Sequence, residues 1–345
     1  MSIFSHPDFD DHENVTFLSD ARSGLKAFVA VHSTTLGPAA GGTRFWSYDS
    51  EAEGITDALR LSRAMSLKNA IAGIPHGGGK AVILRPKGRF DRQALFSAYG
   101  RGLNKIGGHY YTAEDVGVSP SDMSVIRTQT PFVAGLDEGE AASGDPSPIT
   151  ADGVFRCMQH AISRIFKGRS IRDITVGIQG LGHVGYNLAE RLNRAGAQLV
   201  VTDINPDVLK KAQEEFGAKV VGLDDIYGAE VDVFAPCALG GAINEDTLPR
   251  IKAKVICGAA NNQLRSASMG EAMMQRGILY CPDYVVNGGG IINVASELSG
   301  SYDLDWVDGK LGGLVETLSD IIDRSQKNRL STQSVAEEMA LARMR

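Results

Sequence analysis

Cysteine is scarce in this chain, tryptophan scarcer, and no long apolar run occurs. Cys157, Cys237, Cys257 and Cys281 lie far apart and make no C-x-x-C pair. Neither a zinc knuckle nor a disulfide framework is therefore predicted, and the thiols read as reduced core residues. Apolar stretches such as 174–178 are strand-length, well short of the ~20 residues that span a bilayer. Residues 1–10 show neither a basic n-region nor an apolar h-region, so the expectation is a cytoplasmic protein without export signal or membrane partner. Charge of one sign is lacking as well: 35 Lys and Arg stand against 41 Asp and Glu, a net −6 without blocks of like charge. Phosphate backbones need clustered cations, so no nucleic-acid partner is expected.

What is present is a globular composition, 43% apolar and 22% charged over 345 residues. At ~150 residues per domain that length predicts two domains with sizeable cores. Forty glycines against 12 prolines is a high ratio, and the glycines cluster, which suggests backbone held close to ligands.

Along the chain, residues 24–34 (GLKAFVAVHST) have strand character, and 36–44 (LGPAAGGTR) read as a turn-rich connection. Ser50 and Glu53 fit a capping box, and Ile55, Ala58, Leu59, Ser62 and Met65 keep a helical stripe up to about Ala72. GIPHGGGK (73–80) then stops the helix and 81–84 resumes as strand, which puts Lys68 near a helix end and Lys80 at a loop-to-strand junction. A second unit starts near Ser147, where two prolines and Thr150 precede a helix to about Lys167. Strands at 174–179, 198–204, 231–234, 254–257 and 278–280 follow, with helices at 183–195 and 207–216 between the first of them. That alternation predicts a doubly wound parallel sheet. Residues 311–322 and 335–344 read as amphipathic helices that fold back on the first domain.

Gly180-Leu181-Gly182-His183-Val184-Gly185 matches G-x-G-x-x-G, a weak signal alone. Context strengthens it: an apolar strand precedes it, a helix follows, and Asp203, with Ile204 beside it, ends the next strand 21 residues after Gly182. The first glycine makes the turn, the second admits pyrophosphate and the third allows close helix packing. Helix N–H groups would face the phosphates. Asp203 would accept from the adenosine ribose hydroxyls and repel a 2′-phosphate, which favours NAD over NADP.

Lys68 and Lys80, 12 residues apart, border Gly77-Gly78-Gly79, and Asp115 lies in TAEDVG (112–117). A lysine is usually a solvated surface group, but one between a triple glycine and the apolar 81–84 is expected to be partly buried. Burial and a second cation both lower a lysine's proton affinity and fit it for base chemistry, leaving the other lysine for a substrate carboxylate. Ala81 follows Lys80 where a P-loop has Ser or Thr. His76 reads as a rim or core residue, and no second ligand stands at metal spacing, so no metal is expected.

These segments, with SLKNAIAGIPHGGGKAVI, SGDPSPITADGV, DVFAPCALGG, GAANNQL and PDYVVNGGGIINVASE, resemble the amino-acid dehydrogenases of the glutamate, leucine, phenylalanine and valine group. The pattern is nearest to the leucine branch and then the phenylalanine branch. The resemblance implies NAD(P)-linked reversible oxidative deamination of an L-amino acid to a 2-oxo acid and ammonia. It implies Lys80 as the catalytic lysine that activates water, Asp115 as the proton relay, and Lys68 with backbone near Gly42 on the substrate carboxylate. Asn262, with Asn261 beside it, would orient substrate and nicotinamide. Thr150 would lie near the carboxamide, and Ala238 and Asn287 would line the cofactor site. Ala40 stands where glutamate enzymes carry a lysine for the distal carboxylate and leucine enzymes usually a leucine. With Ala113 and Ile291 it implies an apolar pocket, branched-chain ahead of aromatic, because an unpaired buried carboxylate costs several kcal/mol.

The expected architecture is α/β with a cleft between two domains. Residues 1–146, completed by 311–345, form the substrate and oligomerisation domain, and 147–310 a Rossmann NAD domain. A homo-oligomer from dimer to octamer is implied. A silent NAD-binding sensor would need only the cofactor half, and a 2-hydroxyacid dehydrogenase would want a histidine–carboxylate pair and an arginine, so retention of Lys68, Lys80, Asp115 and Asn262 together favours the amino-acid dehydrogenase.

Overall fold

The computed structural model describes residues 3–136, 144–238 and 240–345. Two compact units emerge. One holds Met1–Asp145, Asn293–Leu304 and Ala340–Arg345, and the other Pro146–Ile292 and Asp305–Met339.

In the first unit a five-stranded sheet has the order β1-β2-β4-β3-β5. Its strands are β1 (Asn14–Asp20), β2 (Leu25–Ser33), β3 (Ala39–Trp46), β4 (Gly77–Leu84) and β5 (Tyr110–Glu114). β2 runs antiparallel to β1 and β4, whereas β3 is parallel to both β4 and β5. Residues alternate between the two faces. Phe28, Ala30 and Val82 meet Ala58 and Leu59 of α1 (Glu51–Ala72) on one face. Val29, Val31, Ala81 and Ile83 meet Leu95, Phe96 and Tyr99 of α2 (Arg92–Ile106) and Met123 and Ile126 of α3 (Pro120–Arg127) on the other. Each large apolar side chain so buried contributes about 1.5–3 kcal/mol.

Two sequence readings are corrected here. Residues 39–46 are a central strand rather than a turn-rich connection, and β4 starts at Gly77, so Lys80 lies within a strand and not at a junction. Glycine lowers local strand propensity, but here it permits backbone contact. A Cβ on Gly78 would stand 2.0 Å from the backbone nitrogen of Ser66 in α1. The clustered glycines of β4 thus serve close packing within the protein. α1 begins at the expected cap, with the Ser50 hydroxyl accepting from Glu53 N, but the expected capping box is not closed, because the Glu53 carboxylate accepts from Asp49 N rather than from Ser50 N. Gly73 ends it in the left-handed conformation, φ 64°, and Arg343 donates to the carbonyls of Ala70 and Ile71.

The second unit carries a six-stranded sheet of order β11-β10-β9-β6-β7-β8, parallel throughout. Its strands are β6 (Thr175–Gln179), β7 (Gln198–Thr202), β8 (Lys219–Val220), β9 (Val233–Pro236), β10 (Val255–Ile256) and β11 (Leu279–Tyr280). Its helices are α4 (Ser147–Ile165), α5 (His183–Ala195), α6 (Pro206–Phe216), α7 (Ser268–Gln275) and α8 (Asp283–Val286), and the residues of α9 (Gly289–Leu298), α10 (Leu304–Asn328) and α11 (Thr332–Arg343) are divided between the two units. Thr150 lies inside α4 rather than ahead of it. Strand order reverses between β6 and β9, the switch point at which doubly wound sheets take ligands.

The expected return of 311–345 to the first unit holds only for Ala340–Arg345. The rest is retained by burial: Leu311 and Leu314 of α10 lie against Gly153 of α4, and Leu314 also against Gly288.

Glycines that serve packing should separate from glycines that serve nothing. Gly78→Ala should cost about 3 kcal/mol or more, because backbone must shift. Gly309→Ala in α10, where the added Cβ meets nothing within 4 Å, should stabilise by about 0.5–1 kcal/mol. Urea midpoints at unchanged slope decide; a neutral Gly78→Ala would sink the packing account.

Candidate active site

Strand register builds the first half of the site. On β3, Ala40 and Gly42 share a face, paired with Gly78 of β4 and Ala113 of β5. Alternation puts Lys80 and Asp115 on that same face. β3 separates β4 from β5, and Asp115 spans it: a Cβ on Gly42 would lie 2.8 Å from the Cβ of Asp115. Because Gly42 has none, the Asp115 carboxylate reaches Lys80, with Nζ 2.5 Å from Oδ2. Lys80 is 7% exposed, deep enough to need a counter-charge. Burial alone would raise the Asp115 carboxyl, but Lys80 and then Arg44 outweigh it and hold it below the usual carboxylate range.

Lys68 sits in the last turns of α1, half-buried. The next residue, Asn69, is fully buried and donates to the carbonyls of Ala40 (3.3 Å) and Gly77 (2.6 Å). It ties this turn of α1 to the face that carries Lys80. Sequence reasoning missed Asn69, although an amide beside the buried stripe of a helix was a signal. It missed Arg44 as well, whose Nε is 3.4 Å from Asp115 Oδ2. The period-two step from Gly42 to Arg44 would have found it. Ala40 and Ala113 are buried, small and on the Lys80 face. His76 faces the Pro38 carbonyl at 3.1 Å, and burial holds it below the usual histidine range.

The second half lies at the switch point of the parallel sheet. Gly180 has φ +96°, and an added Cβ would stand 2.7 Å from that of Ala238. One on Gly185 would lie 2.1 Å from the Gly180 carbonyl oxygen. One on Gly182 would meet nothing within 4 Å, so no protein contact demands glycine there. Gly182 is also the N-cap of α5 and offers no capping side chain. The first turn of α5, at His183 and Val184, therefore presents helix N–H groups to an open space suited to phosphate. Leu181 N donates to Asp203 Oδ2 (2.6 Å) and Asn205 N to Oδ1 (2.8 Å). Each oxygen keeps a further lone pair for a ribose hydroxyl. Ile204, 86% exposed, projects beside it.

Asn287 is buried and donates to Asn261 Oδ1 (2.9 Å) and the Ala259 carbonyl (3.1 Å). Its own Oδ1 is buried without a partner among the described residues, as expected of an amide awaiting a donor. Asn262 is exposed with φ 52°. Thr150 donates to the Pro146 carbonyl (3.0 Å), and a Cβ on Gly290 would lie 3.0 Å from its hydroxyl. Ile291 lies in the first turn of α9 and is 8% exposed. The structure thus gathers Lys80, Asp115 and Gly42 in one unit, and pairs Leu181 with Asp203, Gly180 with Ala238, and Asn261 with Asn287 in the other.

Two histidines packed against α1 are structural. The rings of His12 and His32 are 4.9 Å apart, and they seat α1 through Ser62 (3.0 Å) and Ser66 (2.8 Å). Burial holds both below the ordinary 6.5. The unfolded chain then binds protons first, so their stability is full above about 6.5 and is lost as pH falls below it. The urea midpoint should drop between about pH 7 and pH 5, less steeply in His32→Gln. Equal slopes in both would remove the histidines from the account.

Comparison with known proteins agrees across the chain. Residues 12–132 match the family model described as Glu/Leu/Phe/Val dehydrogenase, dimerisation domain, and residues 201–343 that described as Glutamate/Leucine/Phenylalanine/Valine dehydrogenase. The leucine dehydrogenase of Geobacillus stearothermophilus is 46% identical over 344 residues, covering 100% of this chain and 94% of that protein. The valine dehydrogenase of Streptomyces coelicolor is 44% identical over 342 residues, 98% of this chain and 94% of that one. Among solved structures, L-tryptophan dehydrogenase from Nostoc punctiforme aligns with TM-score 0.85 at 39% identity over 96% of each chain. No helix among the described residues is long and apolar enough to cross a membrane.

Proposed function

The chain belongs to the Glu/Leu/Phe/Val dehydrogenase family, and from that premise we propose that it catalyses the NAD-dependent, reversible oxidative deamination of a branched-chain L-amino acid to the 2-oxo acid and ammonia. The buried Lys80–Asp115 pair, 2.5 Å apart on a face of small residues, carries the reading. Lys68 binds the substrate carboxylate, supported by backbone at Gly42. Asp115 receives a proton from the substrate amine and returns one to departing ammonia. Lys80, once neutral, takes a proton from the water that adds to the imine carbon. NAD, when bound, supplies the hydride acceptor for the bond broken at Cα.

The residues of the second unit fit that dinucleotide. The open space at Gly182 suits pyrophosphate, and the Asn287 oxygen, without a partner among the described residues, suits a nicotinamide amide donor; we assign Thr150 and Asn261 to the same group, Asn262 to orienting substrate and nicotinamide, and Ala238 to the lining of the cofactor site. Asp203 favours the ribose hydroxyls over a 2′-phosphate, and its neighbours Asn205 and Pro206 provide no cation.

Ala40 and Ala113 bring no charge to the Lys80 face, which favours an apolar side chain, with Ile291 assigned to the same pocket. Identity to leucine and valine dehydrogenases puts branched-chain substrates first. The small Ala40 and the likeness to L-tryptophan dehydrogenase favour an aromatic substrate as the second reading. We place the enzyme in the cytoplasm, where amino acids and NAD are available. A homo-oligomer is supported by the match of 12–132 to a dimerisation domain.

NADH formation with leucine, valine, isoleucine, phenylalanine, tryptophan and glutamate tests this. Activity should be greatest on a branched-chain member and fall by about 10²–10⁴ in Lys80→Ala. Asp203→Ala should erode the preference for NAD over NADP. Glutamate as best substrate would overturn the Ala40 argument.

A further inference from the structure

Arg44 follows Gly42 by two residues and so shares its face of β3. Its Nε lies 3.4 Å from Asp115 Oδ2, the oxygen that Lys80 approaches at 2.5 Å. Its Nη1 is 2.7 Å from Asp57 Oδ2 on α1, and the Tyr48 hydroxyl donates to that same oxygen at 2.7 Å. The groups form a line of alternating charge: Asp57, Arg44, Asp115, Lys80. We infer that Arg44, opposed by Asp57, sets the proton affinity of the Lys80–Asp115 pair and is a positioning residue for the reaction.

The argument is competition for one carboxylate. Lys80 must become neutral to take a proton from water, yet an exclusive bond to Asp115 at 2.5 Å would hold it as an ammonium ion. Arg44 is permanently charged and shares the negative charge of Asp115, which weakens that hold. Asp57 draws off part of the Arg44 charge and grades the effect. Burial opposes the charge on Arg44, but Asp115 and Asp57 more than restore it. Burial and Asp57 together push the Tyr48 phenol well up, so it stays a neutral donor. Other titratable groups nearby are Tyr110, which donates to the Gly41 carbonyl at 2.7 Å, the exposed Glu114, and Lys68 on the helix that carries Asp57.

The inference rests on the proposed roles of Lys80 and Asp115, and opposite signs test it. Removing a fixed cation raises the proton affinity of every neighbour, and removing a fixed anion lowers it. In kcat/KM for L-leucine against pH, Arg44→Met should move the rising limb alkaline by about one unit, and Asp57→Asn should move it acid by about half a unit. Arg44→Lys should return the limb toward its original place with KM little changed. Loss of kcat at every pH with unmoved limbs, or shifts of the same sign in both variants, would overturn the inference while leaving the reaction established. An unmutated protein inactive on the whole amino-acid panel would instead overturn the function on which it rests. Should Arg44→Met unfold, Asp57→Asn and Arg44→Lys still give opposed expectations, an acid shift and no shift.

Discussion

A buried lysine needs its carboxylate, and in this sheet the carboxylate starts two strands away. Neighbouring strands lie ~4.8 Å apart, so Asp115, leaving β5, must cross the whole of β3 to meet Lys80 on β4. It crosses at Gly42, where a side chain would collide with it: an added Cβ would stand 2.8 Å from the Cβ of Asp115. Breaking such a pair by removing one partner typically costs about 3–5 kcal/mol, because the survivor keeps its charge without compensation. The first unit can therefore be read outward from this contact. Gly42 clears the crossing, Gly78 lets α1 settle on β4, and Asn69 ties the turn bearing Lys68 to the same strands.

The second unit uses glycine differently. Gly180 and Gly185 answer to the protein, one through its φ and its contact with Ala238, the other through its contact with Gly180. A Cβ on Gly182 would meet no atom of the described residues within 4 Å. Since α5 also starts without a side-chain cap, about half a unit of positive charge at its N-terminus is left directed at that space. Identical residues thus divide into two that close the fold and one beside open space, the division that the motif itself led one to expect.

This difference explains what the sequence disclosed and what it hid. Helix α5, the strand before it and the carboxylate at Asp203 follow from local period and punctuation, and the structure has α5 at the expected 183–195. The strand character of 39–46 and 77–80 was hidden, because glycine depresses strand propensity locally while the reward, contact with a distant backbone, is non-local. Lys80 was consequently placed at a junction although its burial was anticipated. The allegiance of α10 was hidden for a similar reason: its apolar stripe shows that it packs, but not that Gly153 and Gly288 leave the room it packs into. Arg44 escaped notice because its segment read as a turn, where alternation carries no meaning.

Both halves share a further property, which bears on catalysis more than on stability. Asp203 has each oxygen engaged by a backbone N–H and Asp115 is held by two cations, so that under the proposed function both are oriented ahead of the ribose and the amine. Groups oriented in advance lose little freedom when the ligand binds, and their charges need not reorient as the reaction proceeds. A flexible surface lysine and aspartate would offer the same chemistry but would spend part of their interaction on becoming ordered. Under the proposed reaction, the rigid sheet and the glycines that tighten it would serve catalysis as well as folding, because they hold Lys80 and Asp115 at 2.5 Å within a framework of close backbone packing.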